Sequence, residues 1–471
     1  MTRCRYTLLP LITIAALSQA APAQLTLAAA MHQADRAAFA NRLAGGVAAE
    51  RRAQALGPLK GILPSDHVEA GYLRTTDPIG AFGSTLRQRT ITPADFDPRH
   101  LNYPGAIGNY QGGIVVEQPL LNADAWLGRR TALHAVDATL ASETWTRLSI
   151  RVDVIRAYYG TMLATERADM LRSAARAAHA HQAQAEAMVR QGMVTKSDAL
   201  LAAVRAGDID AQLADAIGNA MTTKRQLAVL LGDDGTDRSA RPATPDVLPS
   251  ADRIRAVVQA DTAFSDGEPR ADVEAASRTL EAARSDGARA RATLLPRINS
   301  FARYDWNSPN RLYGGDGNWT VGVMATWSPF AGASEIGDVQ TTSARETSAR
   351  AQVDAALANG RLQVEQTRTA LGVALARLEI AERAVVQSAE AHRIVARKYE
   401  GGLASVTESL DAQTTDTQSA LAFAQARYTV IVDAAEHRLA IGHDPATLAV
   451  LDNTAIVADR TVRTAPDRDQ Q

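Results

Sequence analysis

The spacing of apolar and polar positions switches between two periods along this chain, and the switches recur in the same order. From His67 to Arg74 the positions alternate, with Val68, Ala70 and Tyr72 on one side and His67, Glu69 and Leu73 on the other. A period of two predicts a strand with two unlike faces. A second strand is expected at about 110–118, ending at Pro119. Further on, 298–306 places Tyr304 and Trp306 opposite Asn299, Phe301, Arg303 and Asp305. The clearest alternation is 319–327, where Trp319, Val321, Val323, Ala325 and Trp327 share a side opposite Thr320, Gly322, Met324 and Thr326.

The other period is helical. No proline occurs from Asn122 to Arg190 or from Ala333 to Glu400, and Leu148, Val152, Ile155, Tyr159, Met162 and Thr165 follow steps of three and four. At ~1.5 Å per residue, each stretch could reach about 100 Å. Each stops at a Gly turn, after which a second helix returns to Leu231-Gly232 or Ile441-Gly442. Before the first strand, 25–56 reads as helix with a soft spot at Gly45-Gly46, broken by Pro58, Gly61 and Pro64. The Gly/Pro/Asp-rich 75–108 reads as a loop.

Three landmarks recur at a constant offset of 210 residues: Gln118-Pro119-Leu120 with Ser328-Pro329-Phe330, Gly192–Thr195 with Gly402–Ser405, and Leu231-Gly232 with Ile441-Gly442. Fixed spacing over such lengths predicts one structural unit used twice. Leu63-Pro64 and Leu295-Pro296 differ by 232 instead, which makes the first hairpin loop 22 residues longer. The expected organisation is a signal peptide at 1–23, a first repeat at 24–232 with its tip at 190–198, a linker or equatorial region at 233–269, a second repeat at 270–442 with its tip at 399–408, and a polar tail at 443–471.

Arg3 and Arg5, the apolar Leu8–Leu17 and the small-residue site Ala21-Pro22-Ala23 form an export signal that leaves Gln24 as the new N-terminus. About ten apolar residues are too few to cross a ~30 Å hydrocarbon core. The single cysteine, Cys4, falls inside that signal, so the mature chain has no disulfide, no thiolate chemistry and no cysteine for a lipid anchor. No later run offers about twenty apolar residues, and an exported chain without a spanning helix can cross a membrane only as a closed β-barrel. Trp319, Trp327, Tyr304 and Trp306 then suit the aromatic girdle of such a barrel. A net charge of −2 gives no case for nucleic acid, which would show as a basic stripe.

The two turns, 190–198 (Arg-Gln-Gly-Met-Val-Thr-Lys-Ser-Asp) and 399–408 (Tyr-Glu-Gly-Gly-Leu-Ala-Ser-Val-Thr-Glu), each at the end of an uninterrupted helix, resemble the periplasmic hairpin tips of the TolC-type outer-membrane efflux family. The resemblance covers nearly all of the mature chain. It implies an α+β membrane protein in which duplicated strand-strand-helix-helix units form a trimeric 12-stranded β-barrel, continued by a long periplasmic α-helical barrel. The residues alone require more than four strands for closure, and two or three chains would supply eight or twelve. The implied function is passive: an outer-membrane exit channel of a tripartite efflux or type I secretion system. It would be fed by a periplasmic adaptor and an inner-membrane pump and embedded in outer-membrane lipid. The alternative that the residues leave open is a periplasmic coiled-coil scaffold or adhesion protein without a channel.

The resemblance also implies site residues. Glu408 and Asp411, three apart on the returning helix, match the acidic positions of the closed periplasmic aperture, where repulsion between six carboxylates would raise some pKa values and favour cations. Tyr399 and Asp198 match a hydrogen-bonded gate latch, with Ser197 at a neighbouring hydroxyl position. A basic residue that completes the latch is replaced here by Ala404, with Lys196 and Lys398 as possible substitutes. Gly192, Met193, Thr195, Gly402, Leu403 and Ser405 would meet the adaptor. No catalytic residues, cofactor or metal are expected: His179 and His181, two apart on a helix, point to nearly opposite sides, and no triad or phosphate loop is visible.

Overall fold

The computed structural model describes residues 25–234, 244–261, 269–446 and 448. The signal at 1–23, parts of the linker and most of the polar tail lie outside these residues. Helices α1 (Leu27–Ala37) and α2 (Phe39–Gln54) lead into strand β1 (Ser65–Thr75). After α3 (Pro78–Arg87) and α4 (Pro98–Asn102) come β2 (Ile107–Leu121), α5 (Ala123–Arg190) and α6 (Lys196–Leu230). Helix α7 (Ala251–Asp261) lies in the linker, and the second unit has α8 (Ala271–Ala292), β3 (Arg297–Ser308), β4 (Asp316–Thr326), α9 (Ser334–Glu400) and α10 (Val406–Ala440).

The duplication extends to the backbone. α8 follows α2 at the 232-residue offset, and the caps that begin them share one conformation, φ −55°, ψ 132° at Ala38 and φ −61°, ψ 131° at Arg270.

The four strands form one antiparallel sheet in the order β1-β2-β3-β4, which leaves β1 and β4 as its edges. Its register sorts the side chains cleanly. Val68 faces Ile114, which faces Tyr304, which faces Trp319, so these residues share one face. His67, Val115, Arg303 and Thr320 line up on the other. The first face is apolar and open, with Trp319 76% exposed and Val321 and Val323 close behind. The second carries Glu69, Gln111, Asp305, Asn307 and Asn318. Glycines sit where aromatic rings cross the sheet: a Cβ on Gly112 would stand 2.4 Å from the Trp306 ring, and one on Gly317 2.0 Å from the Tyr304 hydroxyl.

Two expectations are corrected. The 75–108 segment is not irregular, since it contains α3, a 3₁₀ turn at Pro93–Phe96 and α4. Its prolines start helices instead of breaking them: Asp77-Pro78, Thr92-Pro93 and Asp97-Pro98 are each an N-cap followed by proline in the first turn, where the missing N–H costs nothing. The break in 25–56 falls at Ala38 and not at Gly45-Gly46, which α2 runs through. Docking sets that break. The Gln33 side chain donates to Leu231 O (3.3 Å), and the chain at Ala37 lies so close to the turn that ends α6 that a Cβ on Gly232 would fall 2.4 Å from the Ala37 carbonyl oxygen.

Below the sheet, α5 and α9 run ~100 Å each. α8 and α10 lie between them, and α2 and α6 lie on the far side of α5. The largest core sits midway, where Leu27 and Met31 of α1, Ile155, Tyr159 and Met162 of α5, Ile254 of α7, Leu378 of α9 and Ile431 of α10 are buried together. A buried ion pair pins it: the Arg427 guanidinium donates to Glu166 and to Leu248 O (3.3 Å), and Leu248 N–H donates back to Glu166 (3.2 Å).

Candidate functional site

At the far end from the sheet, both long helices stop in the same way. Gly192 and Gly402 adopt φ 73° and 71°, a left-handed conformation that glycine takes without a Cβ clash. Gly192 N–H donates to Val189 O (2.9 Å) and Met193 N–H to Met188 O (2.9 Å). Gly402 to Tyr399 (3.0 Å) and Leu403 to Lys398 (2.8 Å) repeat the pattern. These paired bonds satisfy the last carbonyls of each helix.

The returning helices start on capping boxes. Thr195 N–H donates to Asp198 Oδ2 (3.0 Å), while Asp198 N–H donates to Thr195 Oγ1 (3.3 Å). Ser405 N–H donates to Glu408 Oε2 (2.7 Å), while Glu408 N–H donates to Ser405 Oγ (3.2 Å). Each tip is therefore a rigid turn stapled on both sides. Met193 and Leu403 project from it, 59% and 82% exposed.

The boxes change the reading of two predicted residues. Asp198 is engaged by Thr195, and the Tyr399 hydroxyl donates to Met188 Sδ (3.4 Å) and not to Asp198. Burial and the Asp198 charge both push the Tyr399 hydroxyl above its usual pKa. Tyr399 is buried with Ala185, Ala202, Val406 and Leu410, and Ala404 packs against that cluster. The two tips are thus joined by packing where a hydrogen bond was expected, and Ala404 contributes methyl contact where a basic residue would contribute charge. Ser197 lies exposed in the first turn of α6.

Glu408 is likewise held by its box. Within the chain, the Ser405 backbone and hydroxyl bonds lower its pKa, opposite to the expected rise. Asp411 lies exposed one turn later. Met188 is the contact that sequence reasoning missed: a methionine on a long helix carries no signal of its partner 211 residues away.

Other titratable groups near the tips are tied to structure. His179 pairs with Asp210 (2.9 Å) and His392 with Asp416 (3.2 Å), so His179 and His181 do not converge. Burial, with a smaller contribution from His392, lowers the pKa of His181. Among the described residues no group of three or more His, Cys, Asp or Glu could hold a metal ion, and no helix is long and apolar enough to cross a membrane. The girdle residues are at the opposite end: Tyr304 faces Trp319 across β3–β4, the Trp306 indole donates to Leu312 O (2.7 Å), and the Trp327 indole donates to Leu294 O (3.0 Å).

Comparison with known proteins agrees with this architecture. No curated protein sequence matches the chain. Solved structures that share the fold include the CmeC outer membrane channel of Campylobacter jejuni, with TM-score 0.72, 15% identity, and coverage of 94% of this chain and 90% of that one. The outer membrane protein VceC of Vibrio cholerae matches with TM-score 0.72, 18% identity, and coverage of 88% and 96%. The open-state MtrE outer membrane channel of Neisseria gonorrhoeae gives TM-score 0.69, 17% identity, and 89% of each chain. The family model described as "Outer membrane efflux protein" matches residues 81–233 and 268–443, both repeats and most of the chain. The chain belongs to the outer membrane efflux protein family.

Proposed function

We propose that three copies of this chain close into one conduit, a 12-stranded barrel in the outer membrane above a ring of twelve helices in the periplasm. The observation that carries the reading is the two-faced sheet with both edges unpaired. An edge row of free N–H and C=O groups cannot face hydrocarbon, so β1 of one copy must pair with β4 of the next. Space supports three copies. An eight-stranded barrel is filled by its own side chains, whereas here the polar face also carries α3. Twelve strands leave room for both and for a passage.

The helices support the same arrangement. α8 is flanked by α5 and α9, but its repeat equivalent α2 has α5 on one side only. Its open stripe, Phe39, Leu43 and Val47, suits the neighbouring copy's α9.

The family's channels are not enzymes; they work with an adaptor and an inner-membrane pump. In this chain the exposed Met193 and Leu403, held on rigid turns beside Gly192, Thr195, Gly402 and Ser405, would present six equivalent knobs to an adaptor. Glu408 and Asp411 would gather as six carboxylates at the inner mouth. The repulsion among three such sets would act against the capping boxes that lower Glu408's pKa, and would favour cations there.

The mass of the detergent-extracted particle tests this reading. Three chains are expected, with Leu43→Asp reducing the yield of trimers. A single chain that salt releases without detergent would favour a periplasmic scaffold instead.

A further inference from the structure

The segment 76–106 between β1 and β2 is far longer than its repeat counterpart, 309–315. Both loops leave the same end of the sheet, opposite the long helices, because Thr75 pairs with Ile107 and Asn307 with Asp316. In the outer membrane that end is extracellular. We propose that this insert forms a filter across the outer mouth of the duct and that Arg87 sets its charge. The proposal rests on the reading of the sheet's polar face as the lumen.

The insert is a built structure. Three N-caps start its turns, and it has a small core in which Ala81 is buried and the Phe82 and Phe96 rings meet edge-on at 5.8 Å. It is fastened to the polar face and not swung outward. The buried Gln88 amide donates to Gly108 O and to Asn109 Oδ1 (2.9 Å each), and Asn109 donates to Asn307 Oδ1 (2.7 Å). These are lumenal positions on β2 and β3. Arg89 adds a second tether, donating to Gly317 O (3.4 Å) with its guanidinium 3.6 Å from Asp316. Its φ of 53° is a left-handed value that a residue with a Cβ rarely adopts, so the docking holds the backbone there.

Under the end of α3 lies a cavity of about 590 Å³, lined by Leu86 and Arg87 of the insert and by Glu69, Gln111, Arg303 and Thr320 of the sheet, among others. The wall has one acid too many: Arg303 serves both Glu69 (3.2 Å) and Asp305 (2.6 Å). Arg89 is matched by Asp316, which leaves Arg87, with no ion-pair partner among the described residues, to balance that excess across the cavity. Repeated around a closed ring, three inserts would narrow the mouth, and three Arg87 side chains would hold it near neutrality. Without them the wall would carry one net negative charge per chain.

The test uses the full chain in the outer membrane of living cells, with Cys4→Ser as background. Thr320→Cys places a thiol beneath the insert, and Tyr313→Cys places one on the exposed β3–β4 turn. Membrane-impermeant maleimides, one anionic and one cationic, are added outside. The proposal expects Tyr313→Cys to label rapidly and Thr320→Cys several-fold more slowly. Replacing 76–106 by a turn as short as 309–315, or cutting the tether with Gln88→Ala, should accelerate only the latter. Arg87→Gln should raise the ratio of cationic to anionic labelling at Thr320→Cys.

Equal Thr320→Cys rates with and without the insert or tether would overturn the filter. An unchanged ratio in Arg87→Gln would overturn its charge role. Absence of labelling at Tyr313→Cys would instead overturn the outer-membrane orientation, and the filter with it.

Discussion

Arg427→Met should loosen the middle of the molecule far more than a single surface change could. Arg427 and Glu166 are 7% and 11% exposed as side chains, and Arg427 also donates to Leu248 O (3.3 Å) and stacks on Phe423 at 4.8 Å. Met keeps the apolar volume but leaves the Glu166 carboxylate buried with the Leu248 N–H as its one remaining hydrogen-bond partner among the described residues. Removing one partner of such a pair costs about 3–5 kcal/mol. The nearby bridge from Arg255 to Glu382 (2.8 Å) is partly exposed, and bridges of that kind contribute at most about 1 kcal/mol, so it cannot compensate. The loss should appear locally in α7, which reaches the core through Ile254, Val257 and Val258. Hydrogen exchange of α7 amides should accelerate by about 10²- to 10⁴-fold. The double variant Glu166→Leu/Arg427→Met, with no stranded charge, should recover most of that protection. Acceleration below about tenfold in the single variant, or no recovery in the double, would refute the argument.

The sheet faces can be tested by charge. Val321→Arg should cost about 2–4 kcal/mol in urea titration of the lipid-embedded protein, whereas Asn318→Arg, on the polar face opposite Asp305, should be nearly neutral; equal costs would contradict the facing assignment. Ser405→Ala removes the cap of α10 and should lower the stability of its first turns by about 1 kcal/mol, read as faster exchange at 406–409 with α6 unchanged. Because burial lowers the His181 pKa below about 6.5, its contribution is present above that pH and lost as pH falls through the folded value. Exchange at 185–202 should therefore accelerate beyond its intrinsic pH dependence on acidification, and His181→Phe should abolish the extra acceleration. A profile unchanged by the substitution would remove His181 from the tip's pH response.

Much of the architecture was legible because it is periodic and doubled. Alternation over Trp319–Trp327 and the proline-free helices needed no tertiary information, and Gly192 and Gly402 each announced a left-handed turn. The insert was misread because Asp77-Pro78, Thr92-Pro93 and Asp97-Pro98 carry both a breaking and a starting signal, and only the caps decide between them. The break at Ala38 was invisible because contact with Leu231-Gly232, nearly two hundred residues away, makes it. At the tips the residue types were readable but their partners were not: Tyr399 could reach Asp198 or Met188, and the capping box occupied Asp198 first.

The central claim is that this chain builds a conducting duct, and single-channel recording of the detergent-purified mature protein in a planar bilayer tests it most directly. The account predicts small, cation-selective openings that grow or lose selectivity in Glu408→Gln/Asp411→Asn. Failure to insert or conduct, under conditions where a reference membrane barrel does both, would contradict it.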